Sequence, residues 1–183
     1  FDVTVTDDED PVITFCPVDA AVSADASCEF TLLDYTGGVT ATDNCDTTLS
    51  VSLSEIDGVV DGVGTITRTW SVTDDGGNTT EATQTLTVVD STPPALVGVP
   101  ADDTVECDAI PAAATVTATD NCDTTLSVSL SEVDGVVDGV GTITRTWSVT
   151  DDGGTTTEAT QTLTVVDSTP PALVGVPADD TVE

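Results

Sequence analysis

The chain contains no histidine, no lysine and no methionine, and its two basic side chains are Arg68 and Arg145. Without histidine or lysine there can be no hydrolase triad, no Schiff-base amine and no histidine-ligated zinc. The 34 acids make carboxylate pairs inevitable, but nothing marks two of them as the pair of a glycosidase cleft. No catalytic residue is expected. Nucleic acid and anionic lipid headgroups are held by Lys and Arg, so both are excluded as partners. No apolar run is long enough to cross a bilayer, so no direct membrane insertion is expected in this window, and no stretch reads as a signal peptide. Aromatic residues make up only 3% of the chain, which limits each folded module to a thin core. Such modules usually lean on disulfides or metals.

What remains is acid and alternation. The formal charge is −32 over 183 residues, and its natural counter-ions are metal cations. An acidic chain of low hydrophobicity stays disordered. Here the apolar fraction is 38%, rich in valine and strictly alternating over long runs, so a folded β protein is expected. The absence of methionine, a first segment that reads as a strand and a last one that reads as a module's opening suggest a window from a longer protein.

Internal repetition sets the architecture. Trp70 and Trp147 stand 77 residues apart, as do Cys45 and Cys122. Val39–Glu106 and Val116–Glu183 differ only at Ile56/Val133 and Asn78/Thr155. The stretch Val88-Val89-Asp90-Ser91-Thr92-Pro93-Pro94 returns at Val165–Pro171 and, loosely, at Val5–Pro11. A β-branched run there ends at an acid and then at proline, which cannot continue a strand, so the stretch reads as a hinge between modules. The organisation is 1–7, the last strand of a preceding repeat; 8–90, a first repeat; 91–167, a second; and 168–183, the start of the next.

Every periodic segment within a repeat has period two, and none has the 3.6-residue period of a helix. Gly141–Thr150 puts Ile143, Arg145, Trp147 and Val149 on one face and Thr or Ser on the other. Thr157–Val166 and Leu126–Leu130 alternate similarly, and Thr115–Ala118 and Thr104–Glu106 do so briefly. Turns fall at Asp151–Gly154, at Asp134-Gly135 and at Asp138-Gly139. Several short strands around one tryptophan indicate an all-β fold, a tandem array of immunoglobulin-like β-sandwich repeats of about 77–83 residues.

The order of an Ala-Thr-Asp-Asn-Cys turn (Ala118–Cys122), a Trp-Ser-Val-Thr-Asp-Asp-Gly-Gly strand end (Trp147–Gly154) and a Val-Val-Asp-Ser-Thr-Pro-Pro junction resembles HYR-type repeats. The Ile13-Thr14-Phe15-Cys16-Pro17 opening is similar too. The resemblance implies an immunoglobulin-like fold, an extracellular, cell-surface location and a role in adhesion or as a stalk, as in giant gliding-motility-type adhesins of Bacteroidota, with no enzymatic activity. Related repeats often carry cysteine in the Asp-x-Cys-Gly-Asn turn, where this chain has Gly76 and Gly153.

In such a sandwich the loop after the second strand and the turn before the last share the pole where the chain enters. The first holds Asp43, Asn44 and Asp46, repeated as Asp120, Asn121 and Asp123. The second holds Asp74 and Asp75, repeated as Asp151 and Asp152. The entering linker supplies Asp7, Asp8, Glu9 and Asp10 to the first repeat and Asp90 to the second. Calcium takes six to eight oxygens from such groups, whereas a bare cluster of carboxylates repels itself, so calcium at the junctions is the expected cofactor.

Cysteine arithmetic leaves alternatives open. Cys28 and Cys107 correspond, as do Cys45 and Cys122, and symmetry suggests Cys28–Cys45 and Cys107–Cys122. A straight strand between the members of such a pair would hold them roughly 20 Å apart at ~3.3 Å per residue, against about 4.4–6.8 Å for a bridge. Cys16–Cys45 is the alternative. Asn78-Thr79-Thr80 is an N-glycan sequon that the next repeat lacks. Arg68 and Arg145 share the tryptophan face and are expected to pair with Glu55 and Glu132.

The leading expectation is a structural repeat in the stalk or filament of a long adhesin. Its partners would be neighbouring repeats of the same chain, and other copies in a filament or bundle. The other reading is a carbohydrate- or surface-binding accessory module of a secreted protein, which would need an exposed aromatic platform.

Overall fold

The computed structural model describes residues 1–32 and 38–175, and within them the chain is all β, with no helix. The first repeat contributes β1 (Val12–Phe15), β2 (Ala20–Ser23), β3 (Thr40–Thr42), β4 (Ser50–Asp57), β5 (Gly64–Thr73) and β6 (Thr79–Val89). The second contributes β7 (Ala95–Val97), β8 (Asp103–Glu106), β9 (Thr117–Thr119), β10 (Ser129–Asp134), β11 (Gly141–Thr150) and β12 (Thr156–Val166). Each set builds an immunoglobulin-like sandwich from a four-stranded and a two-stranded sheet. The orders are β2-β6-β5-β4 with β1-β3, and β8-β12-β11-β10 with β7-β9.

The long hairpin is the frame of each repeat. β5 and β6 pair antiparallel without a break from Gly64↔Val88 to Thr73↔Thr79, closing on the turn that carries Asp74. Alternation then sends Ile66, Arg68, Trp70 and Val72 inward, and all four are buried. Trp70 and Trp147 are 1% and 2% exposed. The cores are as thin as the composition implies. Ile66, Leu86 and Val88 pack with Phe30, Leu32 and Val59 in one, and Ile143, Leu163 and Val165 with Val105 and Val136 in the other. Arg68 and Arg145 lie buried in these faces, with their Nε atoms 2.7 and 2.6 Å from Glu55 and Glu132 on the neighbouring strand, as the alternation predicts.

Short parallel strands are tied on by side chains. Gln84 Nε2 donates to Val18 O at 2.6 Å and Asp19 Oδ1 accepts from Thr85 N at 2.7 Å, which fixes the register Ala20↔Leu86. Gln161 and Asp102 do the same for β8, at 2.9 and 2.7 Å. Strand boundaries move where pairing decides them. The strand expected at Leu126–Leu130 forms instead as β10, because Glu132 must stand opposite Arg145. Residues 1–7, expected as a last strand, form none among the described residues, since a strand exists only with a hydrogen-bonded neighbour. Residues 176–183, in the expected start of the next repeat, lie outside the described residues.

The chain divides into two compact units. One comprises Phe1–Ala95 with Ala118–Ser127 and Val149–Thr157, and the other Leu96–Thr117, Val128–Ser148 and Glu158–Glu183. Two acidic loops of the second repeat therefore belong to the same compact unit as the whole first repeat. In the linker between β6 and β7, Asp90 and Pro94 are buried, while Ser91, Thr92 and Pro93 between them are exposed. Leu163 is fully buried, and Leu163→Ala is expected to cost about 2–5 kcal/mol, read as a lower urea midpoint with an unchanged slope.

Candidate metal centre

Each acidic loop is built on one local device. Asp43 Oδ1 accepts the backbone N–H groups of Cys45 and Asp46 at 2.8 and 3.0 Å. Asp120 Oδ1 does the same for Cys122 and Asp123 at 2.9 and 3.0 Å. Such Asx turns form because a short carboxylate reaches its own backbone two residues on. In the hairpin turns Asp74 Oδ1 accepts Asn78 N, and Asp151 Oδ1 accepts Thr155 N, both at 2.7 Å. In the linkers Asp7 Oδ1 accepts Glu9 N at 3.3 Å, and Asp90 Oδ1 accepts Thr92 N at 2.9 Å. One oxygen of each carboxylate fixes the turn; the second oxygens of Asp74 and Asp151 accept from Asn78 and Thr155 in the same turns, and those of Asp7, Asp43 and Asp120 have no donor among the described residues.

Several of these carboxylates converge. Asp90, Asp120 and Asp151 bring ligand-competent oxygens within 4.8 Å of one another, as do Asp7, Asp43 and Asp46. Asp90 and Asp151 are only 4% and 6% exposed. Oδ2 of Asp7, of Asp43 and of Asp120 is buried with no hydrogen-bond donor among the described residues. The linker lies directly on the hairpin turn, since a Cβ at Gly153 would stand 2.5 Å from Asp90 O. Only glycine permits that approach. Burial pushes the Asp120 carboxyl up, but the N–H groups of Asp123, Cys122 and Asn121 outweigh it and hold the group below the ordinary carboxylate range. Burial likewise raises Asp74, and the side chain and backbone of Asn78 overcome it, again with a net lowering.

The two clusters are not copies. Asp74, the counterpart of Asp151, is held by Asn78 Nδ2 at 2.8 Å and stays out of the first cluster, where Asp46 takes the third place. In the second repeat Thr155 replaces Asn78, and its hydroxyl donates to Asp151 Oδ2 at 2.5 Å. Because Asn78 Nδ2 also donates to Asp7 O at 3.3 Å, the sequon nitrogen is engaged inside the loop cluster. Asn44 Nδ2 donates to Glu9, Asn121 Nδ2 donates to Asp25 O at 2.9 Å, and Asp75 N donates to Asp46 Oδ2 at 2.7 Å. Asp8 and Asp10 are exposed and join no three-acid cluster among the described residues. Asp123 and Asp152 form a third cluster with Asp61, which sequence reasoning missed. Its trace in the sequence is the Asp-Gly turn repeated at Asp138-Gly139, and both aspartates have positive φ, 48° and 50°.

The structure makes a cysteine pairing that was not among the alternatives. Cys28 bonds Cys122, 94 residues on, with Cα atoms 4.9 Å apart. Cys28–Cys45, Cys107–Cys122 and Cys16–Cys45 do not form; Cys16, Cys45 and Cys107 are free thiols. The reason is geometric, because the loop carrying Cys122 packs beside the Asp61-Gly62 turn of the preceding repeat, where a Cβ at Gly62 would meet both sulfurs at 2.5 and 3.1 Å. Burial, then the charges of Asp7, Asp43, Asp46 and Glu9, raise the Cys45 thiol above its ordinary value.

Both tryptophans are buried in the cores, so neither can be the aromatic platform of a carbohydrate-binding module. Among known proteins, hyalin of Lytechinus variegatus is 36% identical over 149 residues, which is 76% of this chain and 28% of hyalin. The chain thus spans less than a third of that relative. Solved structures of low similarity include Drosophila N-cadherin EC1-4 (11% identity, TM-score 0.35, 85% of this chain and 49% of that one). Mouse cadherin-23 EC22-24 is another (16% identity, TM-score 0.38, 87% of this chain and 67% of that one). The family described as "HYR-like domain with 4 cysteines" matches residues 17–88 and 96–165. Each matched stretch holds two cysteines, Cys28 with Cys45 and Cys107 with Cys122. With most of its length so matched, in two successive copies, the chain belongs to the HYR-like domain family.

Proposed function

We propose that this chain is an extracellular structural repeat from the stalk of a long cell-surface adhesin, of the gliding-motility type, and that calcium stiffens its junctions. The observation that carries the reading is the convergence of Asp90, Asp120 and Asp151, two of them buried, with Oδ2 of Asp120 lacking any donor among the described residues. Three carboxylates in one place repel unless a cation joins them, and the chain's two basic side chains pair with Glu55 and Glu132. The donor set is all oxygen, anionic and drawn from separate segments, which suits a hard divalent cation of the size of calcium. Asp90, Asp120 and Asp151 would hold one ion, and Asp7, Asp43 and Asp46 another.

The mechanical consequence follows from where these groups sit. Asp90 is in the linker, Asp120 in a loop and Asp151 in a hairpin turn, so one ion would tie three chain segments, adding to the Thr155–Thr92 hydrogen bond and the Cys28–Cys122 disulfide already there. A rigid linker transmits tension and keeps an adhesive tip away from the cell surface. The excess negative charge would keep neighbouring stalks apart. The reading is non-catalytic, in keeping with a chain that has neither histidine nor lysine.

Calcium at about a hundredfold excess over its Kd would add about 2.7 kcal/mol to stability. EDTA should therefore lower the melting temperature by several degrees, and Asp120→Asn should remove the share of that difference that its own site contributes, leaving the share of the Asp7, Asp43 and Asp46 site. Identical melting with and without chelator would overturn the calcium reading. A separate expectation concerns pH in EDTA. Asp120 has a depressed pKa in the folded protein, so its turn adds stability above the unfolded value of about 3.9 and loses it as pH falls through the lower folded value. An NMR titration of the Asp120 carboxyl should show a midpoint below about 3.9.

A further inference from the structure

We propose that residue 78, with its counterpart 155, decides how each linker is held to its hairpin turn: the Asn78 amide does so by itself, whereas the turn that carries Thr155 is tied in by calcium. The inference rests on the calcium reading above and sets apart the two sites that it names.

Two near-identical repeats provide the comparison. Val39–Glu106 and Val116–Glu183 differ at Ile56/Val133, on the exposed strands β4 and β10, and at Asn78/Thr155, in the hairpin turn. Both turn residues use their backbone N–H alike, on Asp74 Oδ1 or Asp151 Oδ1 at 2.7 Å. Their side chains differ in how many protons they offer. Asn78 Nδ2 has two, and it has two acceptors, Asp74 Oδ2 at 2.8 Å and Asp7 O at 3.3 Å. The first acceptor belongs to the turn and the second to the linker, so one amide bridges both segments. Thr155 Oγ1 has one proton and also faces two acceptors, Asp151 Oδ2 at 2.5 Å and Thr92 O at 3.3 Å. One proton cannot serve both.

The carboxylate clusters divide along the same line. Asp7, Asp43 and Asp46 come from the linker and one loop, with no member from the hairpin turn. Asp90, Asp120 and Asp151 come from the linker, the loop and the turn. A cation in the second set would therefore hold the turn, and a cation in the first would not. Asn78 supplies the tie that the first set lacks. The chemistry of the two side chains maintains the division. A hydroxyl can rotate its proton from Asp151 Oδ2 to Thr92 O, which frees the carboxylate oxygen for a cation and keeps a hydrogen bond to the linker. The amide is planar, and neither of its protons can turn away without losing an acceptor. Asp74 thus stays paired with Asn78, and Asp151 stays available to a metal.

The linkers also differ, Asp8-Glu9-Asp10 against Ser91-Thr92-Pro93, so the test exchanges the turn residue alone. Full chains carrying Asn78→Thr or Thr155→Asn are melted in EDTA and in calcium beside the wild type, whose binding of calcium chloride is followed by titration calorimetry. Thr155→Asn should melt several degrees above wild type in EDTA, because the amide now bridges linker and turn unaided, and its further rise on adding calcium should shrink. Asn78→Thr should melt lower in EDTA and show a larger rise with calcium. A merely structural role would shift each variant equally in both conditions and leave the calcium-dependent rise unchanged. A rise equal to that of wild type in both variants, or a Thr155→Asn chain that melts below wild type in EDTA, overturns the inference and leaves the calcium reading standing. Wild type with neither a calcium-dependent rise nor heat of binding overturns the calcium reading and this inference with it.

Discussion

The register of the long hairpins is the constraint on which the rest depends. Once Gly64 stands opposite Val88 and Thr73 opposite Thr79, the inward set of β5 is fixed, and so is the position of the Asp74 turn. The same pairing places Glu55 opposite Arg68, which lets a guanidinium lie inside a core that has few apolar side chains to fill it. Burying an arginine is costly without a carboxylate, and the neighbouring strand supplies one. A thin core thus rests on a backbone ladder and one ion pair per repeat rather than on bulk.

Thin cores shift the stabilising burden to loops, and here the loops are acidic. Asp43, Asp74, Asp90, Asp120 and Asp151 each use one oxygen to accept backbone N–H groups of their own turns. The turns bring Asp90, Asp120 and Asp151 together, and likewise Asp7, Asp43 and Asp46. The price is electrostatic, because converging carboxylates oppose the fold unless a cation joins them. Asp90 and Pro94 are nonetheless buried.

Covalent and electrostatic features meet at the same place. The Cys28–Cys122 bridge closes 94 residues of chain beside Asp61, Asp123 and Asp152. Closing so long a loop removes much of the unfolded chain's freedom, which matters more for a small core than for a large one. The family to which the chain belongs is described by four cysteines, and this chain keeps two per repeat. Glycine at position 153 lets the linker approach to a distance that any side chain would forbid. Cys28 and Cys122 staple the first repeat to a loop of the second.

The sequence by itself determined what is local or repeated. Period-two alternation placed Ile143, Arg145, Trp147 and Val149 on one buried face, because a strand turns successive side chains to opposite sides whatever surrounds it. Repeat spacing identified equivalent residues, and Asx chemistry marked the acidic turns. Tertiary structure decided everything that depends on which repeat a group meets. Cys28 and Cys45 look like partners in a list of repeat positions, but the same list allows Cys28 to pair with the next repeat's Cys122, and only proximity separates the two. Asp61 joined an acid cluster for the same reason, its neighbours Asp123 and Asp152 coming from a loop and a hairpin turn of the second repeat, both more than sixty residues away. Near-identical repeats make every such assignment degenerate along the chain, and three-dimensional packing removes the degeneracy.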